Sequence, residues 1–313
     1  MRLPTAPDGR RGCSALARYT DEQIAGTAGL TTGWLLIEHD GPWRHPAFTS
    51  PGLDRAVISQ LAERIAGHAL KPQLIKRPGA ERSRPGAPRR AYLVHTSRTR
   101  PWARRVDFHD LSELLDIDVT AAERPEPPAF GTPVDHTLYL VCTHAKKDPC
   151  CAMLGRPVAA ALGRGRAEVW ETTHVGGDRF AANLVALPQG VYFGRLDPDS
   201  AVRTVAAFEQ GTVLPENYRG RCTDSSPAQA AEAALRTRIG APVGVDAITH
   251  LAEEETVDGV RLTLGHDGGL YSVSVETVEG QECPTTCSAL SPTRPVHHRV
   301  SGIRGGLHSG AAV

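Results

Sequence analysis

Cys142 and Cys151, with eight residues between them, and the later run His174-Val175-Gly176-Gly177-Asp178 are the residues best suited to chemistry in this chain. An apolar run, Leu138-Tyr139-Leu140-Val141, ends directly in the Cys142 thiol. His144, Cys150 and Cys151 follow on what reads as a turn into a helix. Thiolates bind soft or borderline metals, and imidazole suits the same set. Thiols and an imidazole on turns therefore read as one metal or iron–sulfur site assembled from two segments. The two glycines after His174 let the backbone take positive φ and approach a bulky group closely. Asp178 has three readings, an oxygen ligand, a base that holds His174 from behind, or a cap on the next turn. Cys283 and Cys287 have ligand-like spacing but lie far away in sequence, where local surface thiols are an equal reading. Cys13 and Cys222 are assigned to packing.

The elements that must position these residues follow from periodicity. Trp34-Leu35-Leu36-Ile37 is a short apolar run, read as a buried strand over 33–38. Leu53, Val57, Leu61 and Ile65 recur every four residues, which predicts a helix over 53–69. Strands are expected at 73–75 and 91–94, with a Pro- and Gly-rich loop over 77–90 between them. The same opening recurs later. A strand at 137–141 precedes a helix at 153–162, a strand at 167–170, the His174 loop, and a hairpin of 180–187 with 191–193. Beyond it come amphipathic helices at 202–210 and 228–239. Residues 244–281 then alternate as a hairpin around Asp267-Gly268-Gly269.

The spacing C-x8-C followed by H-x-G-G resembles the signature of the sucrase/ferredoxin-like family. Cys142, Cys151, His174, Gly176 and Gly177 fit it, and Asp178-Arg179-Phe180-Ala181-Ala182-Asn183 and Gly190-Val191-Tyr192-Phe193-Gly194-Arg195 are similar to the family too. So are Gly26-Thr27-Ala28, Gly33 to Glu38 and Gly41-Pro42-Trp43. The resemblance runs over about residues 12–245. It implies an α/β (α+β mixed sheet) fold with a thioredoxin-like ferredoxin core and a C-terminal helix-plus-hairpin extension. The repeated opening points to an internal duplication. The expected division is an N-terminal half without ligands over 12–128, a cluster-bearing domain over 129–200 and an extension over 201–302. Residues 1–11 and 303–313 are expected to lack order.

The resemblance further implies a [2Fe-2S] cluster, with Cys142 and Cys151 on one iron and His174 on the other, in an electron carrier. Any enzyme activity would be an oxidoreductase. The family's second His is replaced here by Asp178. Asp178 is the expected fourth ligand, with His144, Cys150, Cys283 and Cys287 as alternates. Two ferric irons, two sulfides and two thiolates sum to zero charge, so exchanging a neutral His for Asp makes the site negative by one unit. Its potential should then lie below that of a two-His cluster. The alternatives on the same scaffold are a tetrahedral zinc site and a thiol-redox protein using Cys150 or Cys151 at a helix N-terminus.

Composition bounds the rest. The chain has 313 residues, 40% hydrophobic, with zero formal net charge. Neither nucleic acid nor a membrane is an expected partner, and no apolar run is long enough to span a bilayer. Seven cysteines, an odd number set among histidines, favour a reducing compartment, hence the cytoplasm, over a disulfide scaffold. The Arg-, Ala-, Gly- and Pro-rich composition suggests a bacterial source. Residues 71–106 hold 11 Lys or Arg against Glu81 alone. That segment is a solvated loop or a docking patch for an acidic redox partner. No Walker loop, Rossmann fingerprint, Ser-His-Asp signature or paired-carboxylate motif accompanies it.

Overall fold

The first strand, β1 (Gly33–Glu38), is buried along its whole length, as a run without polar alternation must be when both faces are covered. This computed structural model describes residues 4–79, 86–164, 169–240 and 242–308. A short helix, α1 (Cys13–Tyr19), precedes β1. After it come α2 (Arg55–Ile65), β2 (Leu70–Lys76), β3 (Arg89–His95) and β4 (Trp102–Phe108). A two-residue strand, β5 (Thr132–Pro133), leads into β6 (Leu138–Cys142), α3 (Pro149–Leu162), β7 (Val169–Thr172), β8 (Leu184–Leu187) and β9 (Val191–Phe193).

The two runs pair alike. β1 is parallel to β2 and antiparallel to β3, which pairs with β4. Likewise β6 is parallel to β7 and antiparallel to β8, which pairs with β9. An antiparallel contact of β2 with β7, Ile75 opposite Thr172 and Lys76 opposite Glu171, fuses both into one sheet. After α4 (Pro198–Glu209) and β10 (Thr212–Val213), β11 (Tyr218–Arg221) extends that sheet beside β9. The strand order is β11-β9-β8-β6-β7-β2-β1-β3-β4-β5. Strands from both runs thus lie in one mixed sheet.

Strand alternation sorts the core. Trp34 and Leu36 of β1 share a cluster with Leu138, Leu140 and Cys142 of β6, so one apolar face runs across both units. Leu35 and Ile37 turn the other way, toward Val57 and Leu61 of α2. Tyr139 and Val141 likewise meet Val158, Ala159 and Leu162 of α3. The Cys142 thiol thus faces the shared side.

The remaining chain builds a smaller sheet. Helix α5 (Ser226–Ile239) and the strand β12 (Val243–Gly244), which pairs with β10, precede β13 (Thr249–Thr256), β14 (Gly259–His266), β15 (Gly269–Glu279) and β16 (Val296–His308). The last four pair in sequence order, and Ala228, Ala231 and Leu235 of α5 pack on Leu262, Leu264, Val273 and Val275. The expected hairpin is thus half of a four-stranded sheet.

Several boundaries differ from expectation. The 53–69 helix starts at Arg55, because the Asp54 carboxylate accepts the N–H groups of Ala56 and Val57, and it stops at Ile65. Strand β4, unforeseen, pairs along its full length with β3. Residues 4–11 are ordered: Gly9 takes a positive φ, Ala6 donates to the Arg10 carbonyl, and Thr5 bridges Arg11. Residues 303–308 are held as strand by β15. Residues 309–313, the start of the strand expected at 167–170, and Glu81 with its neighbours 80–85 in the basic loop lie outside the described residues.

Candidate metal centre

The Asp148 carboxylate accepts the N–H of Cys150 at 2.8 Å, and Pro149 supplies the preset first turn, so α3 begins at Pro149. This start, earlier than the predicted 153, places Cys150 and Cys151 on helix rather than on the turn before it. Gly155 lets α3 approach the end of β6, since a Cβ there would lie 2.1 Å from the Cys142 carbonyl oxygen. The approach brings Cys151 to Cys142, and the loop after β7 brings His174. One ligand atom from each of Cys142, Cys151 and His174 lies within 4.8 Å of the others.

Cys142 and Cys151 are buried; His174 is 30% exposed and forms the site's outer edge. The Cys142 sulfur is hydrogen-bonded by the Cys151 thiol, by His174 and by the backbone N–H of His144, which hold it well below the usual thiol range despite burial. Cys151 is pushed correspondingly up, first by the same Cys142 contact. Burial disfavours a charge on His174, yet Asp178 and Cys142 raise it to about 9.

Asp178 belongs to this group. Its Oδ1 stands 2.9 Å from His174 Nδ1 and accepts from the Cys151 thiol at 3.1 Å. The short turn Asp178–Phe180 carries no side-chain cap, so capping does not account for the buried carboxylate. Asp178 thus contacts both His174 and Cys151, although it is not one of the three donors that converge.

Of the alternates, none joins the three donors. His144 Nε2 is taken by the Arg44 carbonyl at 2.8 Å. Cys283 pairs through its backbone with Thr293. Cys150 and Cys287 meet each other elsewhere, with sulfurs 3.3 Å apart. Successive helix residues point about 100° apart, so Cys150 and Cys151 face different neighbours.

Side chains from β2 and β11 hold the His174 loop. Lys71 Nζ of β2 donates to the Val175 carbonyl at 2.8 Å, and Gln73 Nε2 donates to the His174 carbonyl at 3.1 Å. From β11, the buried Arg219 guanidinium donates to the Gly176 carbonyl and to Asn183 Oδ1. Gly177 is required there: its φ is +76° and a Cβ would lie 2.4 Å from Arg219 Nη2. Burial, aided by Arg219, lowers the Lys71 ammonium to about 8, and burial lowers Arg219 to about 10. Sequence reasoning missed these residues because they act through backbone carbonyls and carry no spacing pattern.

Several described cations of the basic segment have partners within the chain. Lys76 pairs with Glu171, Arg105 with Asp107 and Arg100 with Glu126, while Arg89 and Arg77 lie over the Phe108 and Trp170 rings. Arg98 reaches Asp224, Glu232 and His250 and supplies the cation of that acidic group.

The sucrase/ferredoxin-like family description matches residues 24–220, a span that holds every residue of the site and all of the ten-stranded sheet except Arg221. The chain belongs to the sucrase/ferredoxin-like family. Two curated relatives, both fungal, bear the name Altered inheritance of mitochondria protein 32. The one from Eremothecium gossypii is 26% identical over 155 residues, 42% of this chain and 49% of its own length. The one from Meyerozyma guilliermondii is 27% identical over 95 residues, 26% of this chain and 34% of its own. The chain thus spans half or less of these relatives. No solved structure matches it. All seven cysteines are free thiols, and among the described residues no helix is long and apolar enough to cross a membrane.

Proposed function

We propose that Cys142, Cys151, His174 and Asp178 hold a [2Fe-2S] cluster and that the protein transfers electrons in a reducing compartment such as the cytoplasm. The observation that carries this reading is the convergence of two buried thiols and one imidazole from β6, α3 and the loop after β7, with the Asp178 carboxylate beside both. A bound cluster would supply one-electron redox chemistry. The chain's residues would do the rest. The N–H of His144 hydrogen-bonds the Cys142 sulfur, which favours the thiolate. Lys71 and Arg219 clamp the carbonyls of the His174 loop and place two buried cations near an anionic ligand set. His174, partly exposed, marks the edge at which a partner protein would dock. We read the two like-paired strand units as a duplicated thioredoxin-like core in which only the second kept ligands.

Anaerobically purified protein should be coloured, with iron and acid-labile sulfide in equal amounts, and should bleach with dithionite. A second reading is favoured by one measurement: donors within 4.8 Å of one another suit a single tetrahedral ion. A cluster with two irons needs His174 to stand farther from the thiols. Colourless protein holding zinc lost in Cys142→Ser would refute the cluster and establish that second reading.

A further inference from the structure

Behind the first turn of α3 lies a second group of donors. Cys13 at the start of α1, Cys150 on α3 and Cys287 in the irregular segment between β15 and β16 bring three sulfurs together. Their separations are 3.9, 3.3 and 3.6 Å. Asp148 Oδ2 lies 3.6 Å from the Cys13 sulfur. All four residues are buried. We propose that Cys13, Cys150, Cys287 and Asp148 form a closed structural zinc site, separate from the Cys142 centre.

The distances select a single ion. Zinc–sulfur bonds of about 2.3 Å set tetrahedral edges of about 3.8 Å, close to the three separations found. An oxygen at about 2 Å from zinc gives a slightly shorter sulfur–oxygen edge, which fits Asp148. A multi-iron cluster, with sulfides between its irons, would hold the thiols farther apart. A disulfide would use two sulfurs at about 2 Å and leave the third unexplained.

The surroundings fit thiolates. The N–H of Cys13 points at the Cys287 sulfur at 3.3 Å, and the N–H of Ser14 at the Cys150 sulfur. Such donors stabilise metal-bound thiolate and fix its orientation. Asp148 is held by the N–H groups of Cys150 and Cys287, at 2.8 and 2.7 Å. Gly12, at φ +104°, is needed for the approach, since a Cβ there would sit 2.4 Å from the Cys150 sulfur. Arg10, Arg11 and Arg18 line the cavity that adjoins Cys150. Binding exchanges three thiol protons for one zinc ion, with no change of oxidation state.

The ion would clip together three segments more than a hundred residues apart. Its main beneficiary is residues 280–295, which carry no helix or strand and only the Cys283–Thr293 bridge. Closing such long loops is where a metal clip stabilises most.

The test uses the full chain, supplied with zinc and iron and purified under reducing conditions. Zinc should be present at one per chain. Cys13→Ser and Cys287→Ser should lose it while keeping the metal and spectrum of the Cys142 centre, and Cys142→Ser should keep it. Because those variants can fail to fold, thiol alkylation of the wild type read by mass spectrometry is the second arm. Chelation should expose Cys13, Cys150 and Cys287 as one set, separately from Cys142 and Cys151, and added zinc should protect them again. Cobalt should restore the same protection, with the absorption of a tetrahedral thiolate site. Zinc unchanged in Cys13→Ser and Cys287→Ser, or a Cys150–Cys287 disulfide in zinc-free wild type, would overturn the proposal. So would joint loss of the Cys142 centre's metal in both folded variants.

Discussion

Gly155→Ala separates the close approach of α3 and β6 from every ligand. Gly155 lies inside α3, where alanine is favoured over glycine by about 1 kcal/mol. Were propensity the larger effect, the variant would be more stable. The structure gives the opposite sign. The new methyl would lie 2.1 Å from the Cys142 carbonyl oxygen and 3.4 Å from a Thr143 methyl. Ordinary carbon–oxygen contact needs more than an ångström of extra separation, and the blocking atom is backbone at the end of a central strand. Overpacking of this kind costs about 1–3 kcal/mol, so the net expectation is a loss of up to about 2 kcal/mol. The larger effect is local. Moving α3 off β6 carries Cys151 away from Cys142, because each lies within a turn or a residue of the collision. Urea unfolding reads the stability, and metal content with visible absorption reads the site. A Gly155→Ala protein that is more stable than wild type and retains full metal would refute the reasoning.

Four further outcomes are expected. Cys142→Ser and Cys151→Ser should each abolish the visible spectrum of the proposed cluster, while Cys150→Ser should leave it, as read on anaerobic protein. Asp178→His should keep the cluster and raise its potential, since the site loses one negative charge; Asp178→Ala should leave it labile, and an unchanged spectrum would remove Asp178 from the ligand set. Glu232→Gln should cost about 3–5 kcal/mol in urea unfolding, because the buried Arg236 would then face an uncharged partner while Arg98 keeps Asp224. Burial opposes charge on Glu232, but His250, Arg98 and Arg236 hold its carboxyl well below 4.5. Its contribution is therefore present above about pH 4.5 and lost as pH falls further, and acid titration of Glu232→Gln should lack that part of the slope.

The sequence made the converging donors legible because each sits where a local pattern breaks. Cys142 ends a uniformly apolar strand, and Gly176 and Gly177 mark a loop that turns back at once. The order of strands and helices around them was also readable from alternation and the four-residue repeat. The start of α3 was readable too, in Asp148-Pro149, but the prediction placed it four residues late, and the direction of Cys150 was lost with it. Strand β4 escaped because Arg104 and Arg105 interrupt its apolar pattern while pairing with β3 all the same. The joining of β2 to β7 rests on two residue pairs between distant segments, and no periodicity reports that.

The adjacent pair Cys150-Cys151 ties these observations together. On a turn, two neighbouring thiols could both serve one centre, and the sequence alone left that choice open. On a helix they cannot, since a step of about 100° sends them to different sides. The Asp148 cap and Pro149 decide for the helix, so the same two residues that start α3 also divide its thiols. Cys151 goes inward to the shared face of the sheet with Cys142, and Cys150 goes outward to Cys13 and Cys287. The Asp148 carboxylate binds the N–H of Cys150 and that of Cys287, so the helix start and the C-terminal segment are fixed by one group. The orientation of Cys151 at the inner centre is therefore set by contacts made on the outer side of the same helical turn.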